Sequence, residues 1–215
     1  MSKAAGLNIR ALSFRRRRDA AFHGFIAIAL IGCSVLLTPD KVKDAQPWGV
    51  HFLRIVGIAF GLGIGAAGWK LWISADRADQ GAAGEEVIAQ DLKVLEQKGW
   101  KFRYGMMIRG IGDLDIIATS PAGRLFVIDV KSHGGTVTAG GEKLVRRYGD
   151  RTYQFEKDFI AACNNQADRL KALWKAERVI PVLCFSKATV NVPAGSLAGV
   201  YVVSRQRLIP LLETL

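Results

Sequence analysis

Charged side chains interrupt two short apolar segments that otherwise have the composition of buried β-strands. The segment 112–118 reads GDLDIIA, and the segment 125–131 reads LFVIDVK. Side chains alternate between the two faces of a strand, so Asp129 and Lys131 share one face while their apolar neighbours point the other way. Carboxylates in a buried strand are costly unless they are paired or bind a metal ion. The pattern therefore predicts acid and lysine chemistry at one end of a sheet.

The turn SPAG at 120–123 joins these two segments and makes them neighbouring strands. One face of the pair then gathers Asp115, Asp129 and Lys131. Two nearby carboxylates repel each other, and a divalent cation that prefers oxygen ligands, Mg²⁺ or Mn²⁺, relieves that repulsion. We predict that Asp115 and Asp129 bind the metal ion. Lys131 is predicted to position the attacking water and to stabilise negative charge in the transition state.

A further carboxylate comes from the helix that is predicted over 81–100. Glu85 begins this helix and lies on the same stripe as Ile88 and Leu92, which we expect to face the sheet. Glu85 is therefore predicted to join the cluster, whereas Glu86 lies about 100° further round the helix. The alternative is structural: an ordinary salt bridge at a strand end, with the aspartates of GDLD in turn and cap roles.

Two other polar features have simple structural interpretations beside functional ones. His133 follows the lysine closely, and a histidine in a surface loop explains it as well as a substrate contact does. The segment 143–153 contains arginines at 146, 147 and 151 among tyrosines. Such a segment either follows a phosphate backbone or forms a solvated hairpin face.

Two apolar segments precede the acidic and basic cluster. Residues 22–38 are nearly uncharged, and residues 50–73 carry charge only near their ends, where tryptophans also lie. Each segment is long enough to cross a bilayer, so we predict a two-helix transmembrane hairpin over 21–74 in contact with the lipid bilayer. The alternatives are a cleaved signal peptide, for which no small-x-small cleavage site follows the first segment, and a soluble protein with two core helices.

The distribution of charge predicts the orientation of this hairpin. The chain has 215 residues and a net charge of +11, and the run Arg15 to Arg18 lies before the first apolar segment. The loop PDKVKDAQP at 39–47 is charge-balanced, so the positive-inside rule places both termini in the cytoplasm. We predict a multi-pass protein of the inner or plasma membrane. Its three scattered cysteines show no disulfide or zinc spacing, which suits a reducing compartment.

Glycine recurs every four residues in the second apolar segment, at Gly57, Gly61 and Gly65. This spacing leaves one helix face nearly bare, and such a face suits close contact between helices. We expect it to pack against the first apolar helix. A homo-oligomer through the same face is the alternative.

The rest of the chain has the pattern of one α/β domain over 75–215, after a basic cytoplasmic N-terminus (1–20) and the hairpin. Strands are predicted at KFRYGMMIR, DLDIIAT, RLFVIDVK, VIPVLCF and GVYVVS. A Gly-rich antiparallel excursion and a long helix over about 156–178 separate the third strand from the fourth. A short helix closes the chain, although Pro210 argues against it. The predicted order is α-β-β-β-α-β with an extra strand.

These motifs, in this order, resemble the nuclease-related (NERD) domain and, more broadly, the PD-(D/E)xK restriction-endonuclease-like superfamily. The motifs are Gly84-Glu85 at a helix start, GDLDIIAT, FVIDVK followed by Gly134, and a later helix with NNQADRLKAL. The resemblance covers about 81–203. It implies a restriction-endonuclease-like α-β-β-β-α-β core with a mixed sheet, here preceded by two transmembrane helices.

The resemblance also implies roles for individual residues. Asp115 matches the motif aspartate, Asp129 the second acid, Lys131 the lysine, Glu85 the helix acid and Gln166 the glutamine on the following helix. Aspartate rather than the more usual glutamate at 129 shortens the ligand arm. The expected activity is hydrolysis of phosphodiester bonds in nucleic acid with Mg²⁺ or Mn²⁺, and DNA is the expected substrate. The alternative is a membrane-tethered nucleic-acid-binding or scaffold protein that has the fold without turnover.

Overall fold

The computed structural model describes residues 6–38 and 46–215. Residues 1–5 of the basic N-terminus and residues 39–45 of the predicted loop lie outside the described residues. The described residues divide into two compact units: one comprises 9–38 and 46–79, and the other comprises 80–215 together with 6–8.

The elements follow in chain order. The helices are α1 (Leu7–Leu36), α2 (Pro47–Glu96), α3 (Phe159–Trp174) and α4 (Arg205–Thr214), and a short 3-10 helix covers Pro193–Gly195. The strands are β1 (Lys101–Ile108), β2 (Gly112–Thr119), β3 (Leu125–Lys131), β4 (Thr136–Gly140), β5 (Lys143–Tyr148), β6 (Arg151–Gln154), β7 (Val179–Phe185), β8 (Thr189–Asn191), β9 (Ser196–Leu197) and β10 (Val200–Ser204).

The two N-terminal helices are long and apolar enough to cross a membrane. Only 11% of the most apolar window of each helix is buried within the protein. Large side chains such as Phe25, Ile28 and Phe60 are 67–74% exposed. A core helix of a soluble protein would bury such side chains, so this exposure counts against the prediction's soluble alternative.

The glycine face of α2 contacts α1. A Cβ atom added at Gly61 would come within 2.5 Å of Ile31 Cγ1, and one at Gly68 within 3.0 Å of His23 Cβ. A Cβ atom at Gly57 would come closer still to a neighbouring side chain, that of Ser34. Small residues thus allow the two helix backbones to approach, as in membrane helix pairs. The intramolecular use of the Gly57/Gly61/Gly65 face is what the structure shows, and α1 occupies the place that a second copy would need there.

Polar contacts join the part of α1 that precedes its apolar segment to the part of α2 that follows its own. The Arg17 guanidinium lies 2.9 Å from an Asp76 carboxylate oxygen and 2.7 Å from an Asp79 oxygen. The same guanidinium lies over the Trp72 ring, 5.3 Å from its centre. Arg17, a member of the basic run that flanks the first apolar segment, therefore also holds the two helices together.

Helix α2 is continuous from Pro47 to Glu96, which corrects the prediction of separate helices. Glu85 consequently lies within a long helix and does not begin one. The segment between the apolar span and Glu85 is rich in alanine and contains no proline, and the two glycines at 81 and 84 each cost only about 1 kcal/mol of helix propensity. That cost is too small to end a helix without a cap.

The main sheet has six strands in the order β1-β2-β3-β7-β10-β9. Strands β1, β2 and β3 form an antiparallel meander, while β3, β7 and β10 are parallel neighbours. Strands β4, β5 and β6 are inserted between β3 and α3. They form a second sheet in the order β6-β5-β4-β8. The predicted mixed α/β class and its antiparallel excursion are confirmed.

Helices cover both faces of the main sheet around β3. Ile88, Leu92 and Leu95 of α2 pack with Phe126 and Ile128 in one fully buried cluster. On the other face, Ala167 and Leu170 of α3 pack with Ile117 and Val127. The alternation predicted for LFVIDVK and the inward stripe of α2 are therefore correct. Helix α3 begins three residues later than predicted, where the Asp158 side chain accepts a hydrogen bond from the Ala161 N–H and caps it.

Candidate active site at the end of strand β3

Asp129 and Lys131 form an ion pair at the carboxyl end of β3. Lys131 Nζ lies 2.7 Å and 2.9 Å from the two carboxylate oxygens of Asp129. The side chains are only 12% and 24% exposed. Burial opposes the charged form of Lys131, but the carboxylates of Asp129 and Asp115 outweigh it and raise the lysine pKa. Lys131 is therefore a cation at neutral pH.

Asp115 lies next to this pair, on the neighbouring strand β2. Its Oδ2 accepts a hydrogen bond of 2.7 Å from the Val130 N–H. Burial raises the pKa of Asp115 well above its usual range, and the negative charges of Asp129 and Glu85 raise it further. The three acids are thus close enough to repel one another, as the sequence predicted.

Helix α2 brings Glu85 to the same end of the sheet through a close contact at Gly84. A Cβ atom at position 84 would come within 2.9 Å of Ser186 Oγ and 3.3 Å of Ser132 Cβ. Ser132 follows β3 and Ser186 follows β7, so the helix lies directly against both strand ends. The sequence singled out Gly84-Glu85 as a motif, and the structure gives the glycine its physical reason.

Glu85 is buried, with 5% of its surface exposed. Burial raises the pKa of Glu85 to about 7, and the nearby Asp113 carboxylate adds to the increase. A hydrogen bond with the backbone of Gly6 and the charge of Lys131 act in the opposite direction. Glu85 therefore exchanges a proton near neutral pH, which is the range in which a carboxyl group can serve as acid or base.

Asp113 lies close enough to Glu85 to raise its pKa, although Asp113 is not among the predicted site residues. Its Oδ1 atom is buried and has no hydrogen-bond partner among the residues the structure describes. An orphaned carboxylate oxygen at this depth is costly, and a bound cation is one way to satisfy it. The alternation of GDLDIIA does place Asp113 and Asp115 on one face, so the signal was present.

Helix α3 supplies the other wall of the site. The Lys131 ammonium lies over the Phe159 ring, 5.2 Å from its centre. Cys163, one turn further along α3, is buried and close enough for Asp129 and Lys131 to affect its pKa, which burial raises. Gln166 follows three residues later on the same helical stripe and is half-buried. The sequence had no local signal for Phe159 or Cys163, because only the fold brings α3 beside β3.

His133 is not an ordinary surface residue. Its ring packs edge-on against Phe155, with 5.2 Å between ring centres, and lies 5.5 Å from the ring centre of Phe159. Burial, together with the positive charges of Arg146 and Lys131, lowers the pKa of His133. The imidazole is therefore neutral at physiological pH and lines the same side of the site as Lys131.

The part of the chain that carries this cluster resembles a known family. A family model described as a nuclease-related domain (NERD) matches residues 80–186. That match begins in α2 just before Gly84 and ends at the close of β7, so it contains every predicted site residue. The comparisons with curated proteins and with solved structures found no match.

The carboxylates of this cluster are oxygen donors, the donor type that a hard divalent cation prefers. Asp115 and Asp129 act on the charge of Lys131, and Glu85 lies within reach of the charges of Asp113, Asp129 and Lys131. Within residues 6–38 and 46–215, however, no group of three or more His, Cys, Asp or Glu side chains lies close enough together to hold a metal ion. The Asp129 carboxylate is engaged by Lys131, so a cation would compete with the ammonium for it.

Proposed function

We propose that the chain is a membrane-anchored, metal-dependent nuclease that acts on the cytoplasmic side. It hydrolyses phosphodiester bonds in nucleic acid, with DNA as the expected substrate. The observation that carries the proposal is the coincidence of the nuclease-related match with a buried cluster of carboxylates around one lysine. The order α2, β1–β3, α3, β7, with β4–β6 inserted before α3, supports assignment to the PD-(D/E)xK superfamily.

The roles of the residues follow from their charges and positions. Asp115, Asp129 and Glu85 would hold Mg²⁺ or Mn²⁺, and Asp113 is a further candidate because of its orphaned oxygen. When bound, the cation supplies Lewis acidity and lowers the pKa of a water molecule. Lys131, held cationic by the surrounding carboxylates, stabilises the negative charge that develops on the phosphate. Gln166, three residues after Cys163 on α3, would orient substrate or water.

The membrane part of the proposal rests on the two apolar helices. Their exposed aromatic and aliphatic side chains need an apolar environment, which a bilayer provides. The basic residues at the start of α1 favour a cytoplasmic N-terminus by the positive-inside rule, and the even number of spans then places the nuclease-related domain on the same side.

The test is hydrolysis by the full chain in detergent micelles. Single-stranded, duplex and branched DNA and RNA are incubated with the protein and Mg²⁺ or Mn²⁺, and chelator is added in parallel reactions. We expect cleavage that requires metal and that falls about 10²-fold or more in Asp129→Asn and in Lys131→Met. The matched controls, Asp168→Asn and Lys171→Met, change exposed charges of α3 and should retain full activity.

Two outcomes would end the proposal. One is no hydrolysis of any substrate by wild-type protein that retains its far-UV circular dichroism spectrum. The other is hydrolysis that both site variants retain. Binding of nucleic acid without any hydrolysis would instead identify a membrane-tethered binding or scaffold protein.

A further inference from the structure

Strands β5 and β6 present arginine and tyrosine side chains on one face in alternation. In the antiparallel register, Arg146 is opposite Tyr153, and Tyr148 is opposite Arg151. Residues opposite each other, and residues two apart on one strand, share a face of the sheet. Arg146, Tyr148, Arg151 and Tyr153 therefore form a two-by-two array, here named the Arg–Tyr face. The sequence left open whether this hairpin contacts phosphate or only solvent.

The tyrosine rings of the Arg–Tyr face are available to a ligand. Tyr148 is 47% and Tyr153 is 42% exposed, and their ring centres are 6.4 Å apart at a steep angle. Both rings belong to the set of large exposed hydrophobic side chains outside the apolar helices. Exposed aromatic rings on a strongly cationic hairpin are typical of surfaces on which nucleic-acid bases stack.

The arginines of this hairpin have no carboxylate partner. Among the described residues, neither Arg146 nor Arg151 forms a salt bridge, whereas Arg17 and Arg205 are each paired with aspartate. The Arg146 guanidinium lies over the Tyr148 ring at 5.0 Å, and its Nε atom is buried without a hydrogen-bond acceptor among the residues described. An unpaired, partly desolvated guanidinium is suited to bind a phosphate anion.

The Arg–Tyr face is continuous with the candidate active site. Tyr148 lies on the backbone of Gly134 and Gly135: a Cβ atom at Gly135 would come within 3.1 Å of the Tyr148 ring. Gly135 also has a φ of +87°, which favours glycine. The glycines follow β3 by only a few residues, so the tyrosine is held beside the strand that carries Lys131.

Side chains fill the interval between the lysine and the array. Phe159 contacts Lys131 and His133, His133 packs on Phe155, and Arg146 lies over Phe155 at 5.8 Å. Aromatic and basic groups thus alternate from the catalytic strand to the exposed hairpin. Bases and phosphates alternate along a nucleic-acid strand in the same way.

We infer that the Arg–Tyr face binds an unpaired strand of DNA, with bases stacked on Tyr148 and Tyr153 and phosphates on Arg146 and Arg151, and leads that strand to Lys131. The inference deepens the proposed nuclease function and rests on it for the identity of the nucleic acid. Duplex DNA hides the faces of its bases, so the tyrosines select an unpaired strand.

The test is binding by the full chain in detergent micelles with chelator present, so that no hydrolysis occurs. Fluorescence anisotropy is measured with a labelled single-stranded oligonucleotide of mixed sequence and with the corresponding duplex. We expect single-stranded DNA to bind at least tenfold more tightly. Tyr148→Leu combined with Tyr153→Leu should weaken that binding about tenfold or more, because each stacked base contributes about 1–3 kcal/mol.

The control variant replaces both tyrosines with phenylalanine, which keeps the rings and should bind as wild type does. Arg151→Gln changes an exposed side chain and should reduce the slope of log affinity against log salt by about 0.7, the value for one phosphate on a single strand. Arg124→Gln, an exposed arginine of another turn, should leave the slope unchanged.

The results separate this inference from the nuclease proposal. Leucine variants that bind as wild type does, or duplex that binds as tightly as the single strand, would overturn the inference and leave the nuclease proposal intact. RNA of the same sequence binding more tightly than DNA would overturn the assignment to DNA. Wild-type protein that binds no nucleic acid in chelator would overturn the inference, while the hydrolysis assay with metal decides the nuclease proposal by itself.

Discussion

Replacing Glu85 with glutamine measures how strongly the candidate site disfavours negative charge. The side chain is buried, and its burial, together with the Asp113 carboxylate, raises the pKa of Glu85 from an ordinary value of 4.5 to about 7. Between these pH values the folded protein keeps a proton that the unfolded chain has lost. Stability must then fall as the pH rises, since the native state binds more protons than the unfolded state.

The size of this effect follows from the shift. Each pKa unit corresponds to about 1.4 kcal/mol, so the contribution of Glu85 to the free energy of unfolding is about 3 kcal/mol. It is fully present below pH 4.5 and lost as the pH rises through 7. Glutamine carries no titrating proton, so Glu85→Gln should remove this part of the pH dependence while keeping the shape of the side chain.

The assay is urea unfolding of the full chain in detergent at several pH values between 4.5 and 7.5, with chelator to exclude metal ions. The matched control is Glu96→Gln, which changes an exposed carboxylate of the same helix and should follow wild type. If wild type and Glu85→Gln lose stability equally between pH 4.5 and 7.5, Glu85 does not lie in the buried, acidic environment described above.

Two further predictions test the packing around the site. Gly84→Ala should leave the domain about 1–3 kcal/mol less stable than Gly81→Ala does. Both changes gain up to about 1 kcal/mol of helix propensity, but the methyl group at 84 collides with Ser186 and Ser132, whereas the Cβ position at 81 is open. Thermal melting of both variants checks the pair, and equal effects would contradict the close approach of α2. Cys163 and Cys184 are buried, and burial raises the pKa of Cys184 to about 12. Iodoacetamide should therefore modify neither thiol until urea unfolds the domain. Mass spectrometry of the native protein measures this, and an alkylated Cys163 or Cys184 would refute it.

The acidic and basic residues of β2 and β3 were predictable because the signal is local. Strand alternation alone places Asp129 and Lys131 on one face, and a four-residue turn makes β2 their neighbour. Glu85 was predictable from its helical stripe, since Ile88 and Leu92 must face a core. These inferences depend on period and spacing within a few residues.

The rest of the site depends on contacts that are distant in sequence. Phe159 meets Lys131 only because α3 crosses the sheet after the inserted strands. Strand β8 pairs in parallel with β4, with Thr189 opposite Thr136. The three residues TVN of β8 are too short a pattern to predict this pairing. The length of α2 is hard to predict for another reason: the glycines at 81 and 84 lower helix propensity, but low propensity alone does not end a helix that tertiary packing supports.

The parallel pairing of β3 with β7 has a consequence for synthesis. Asp129 is registered with Leu183 and Lys131 with Phe185, so the strand that carries both charges gains its second neighbour only after residues 132–178 have been made. The β1–β2–β3 meander is local and forms early, whereas such a distant parallel pairing forms late. A growing chain therefore carries an incomplete cluster of charged residues until β7 has been made and has paired with β3.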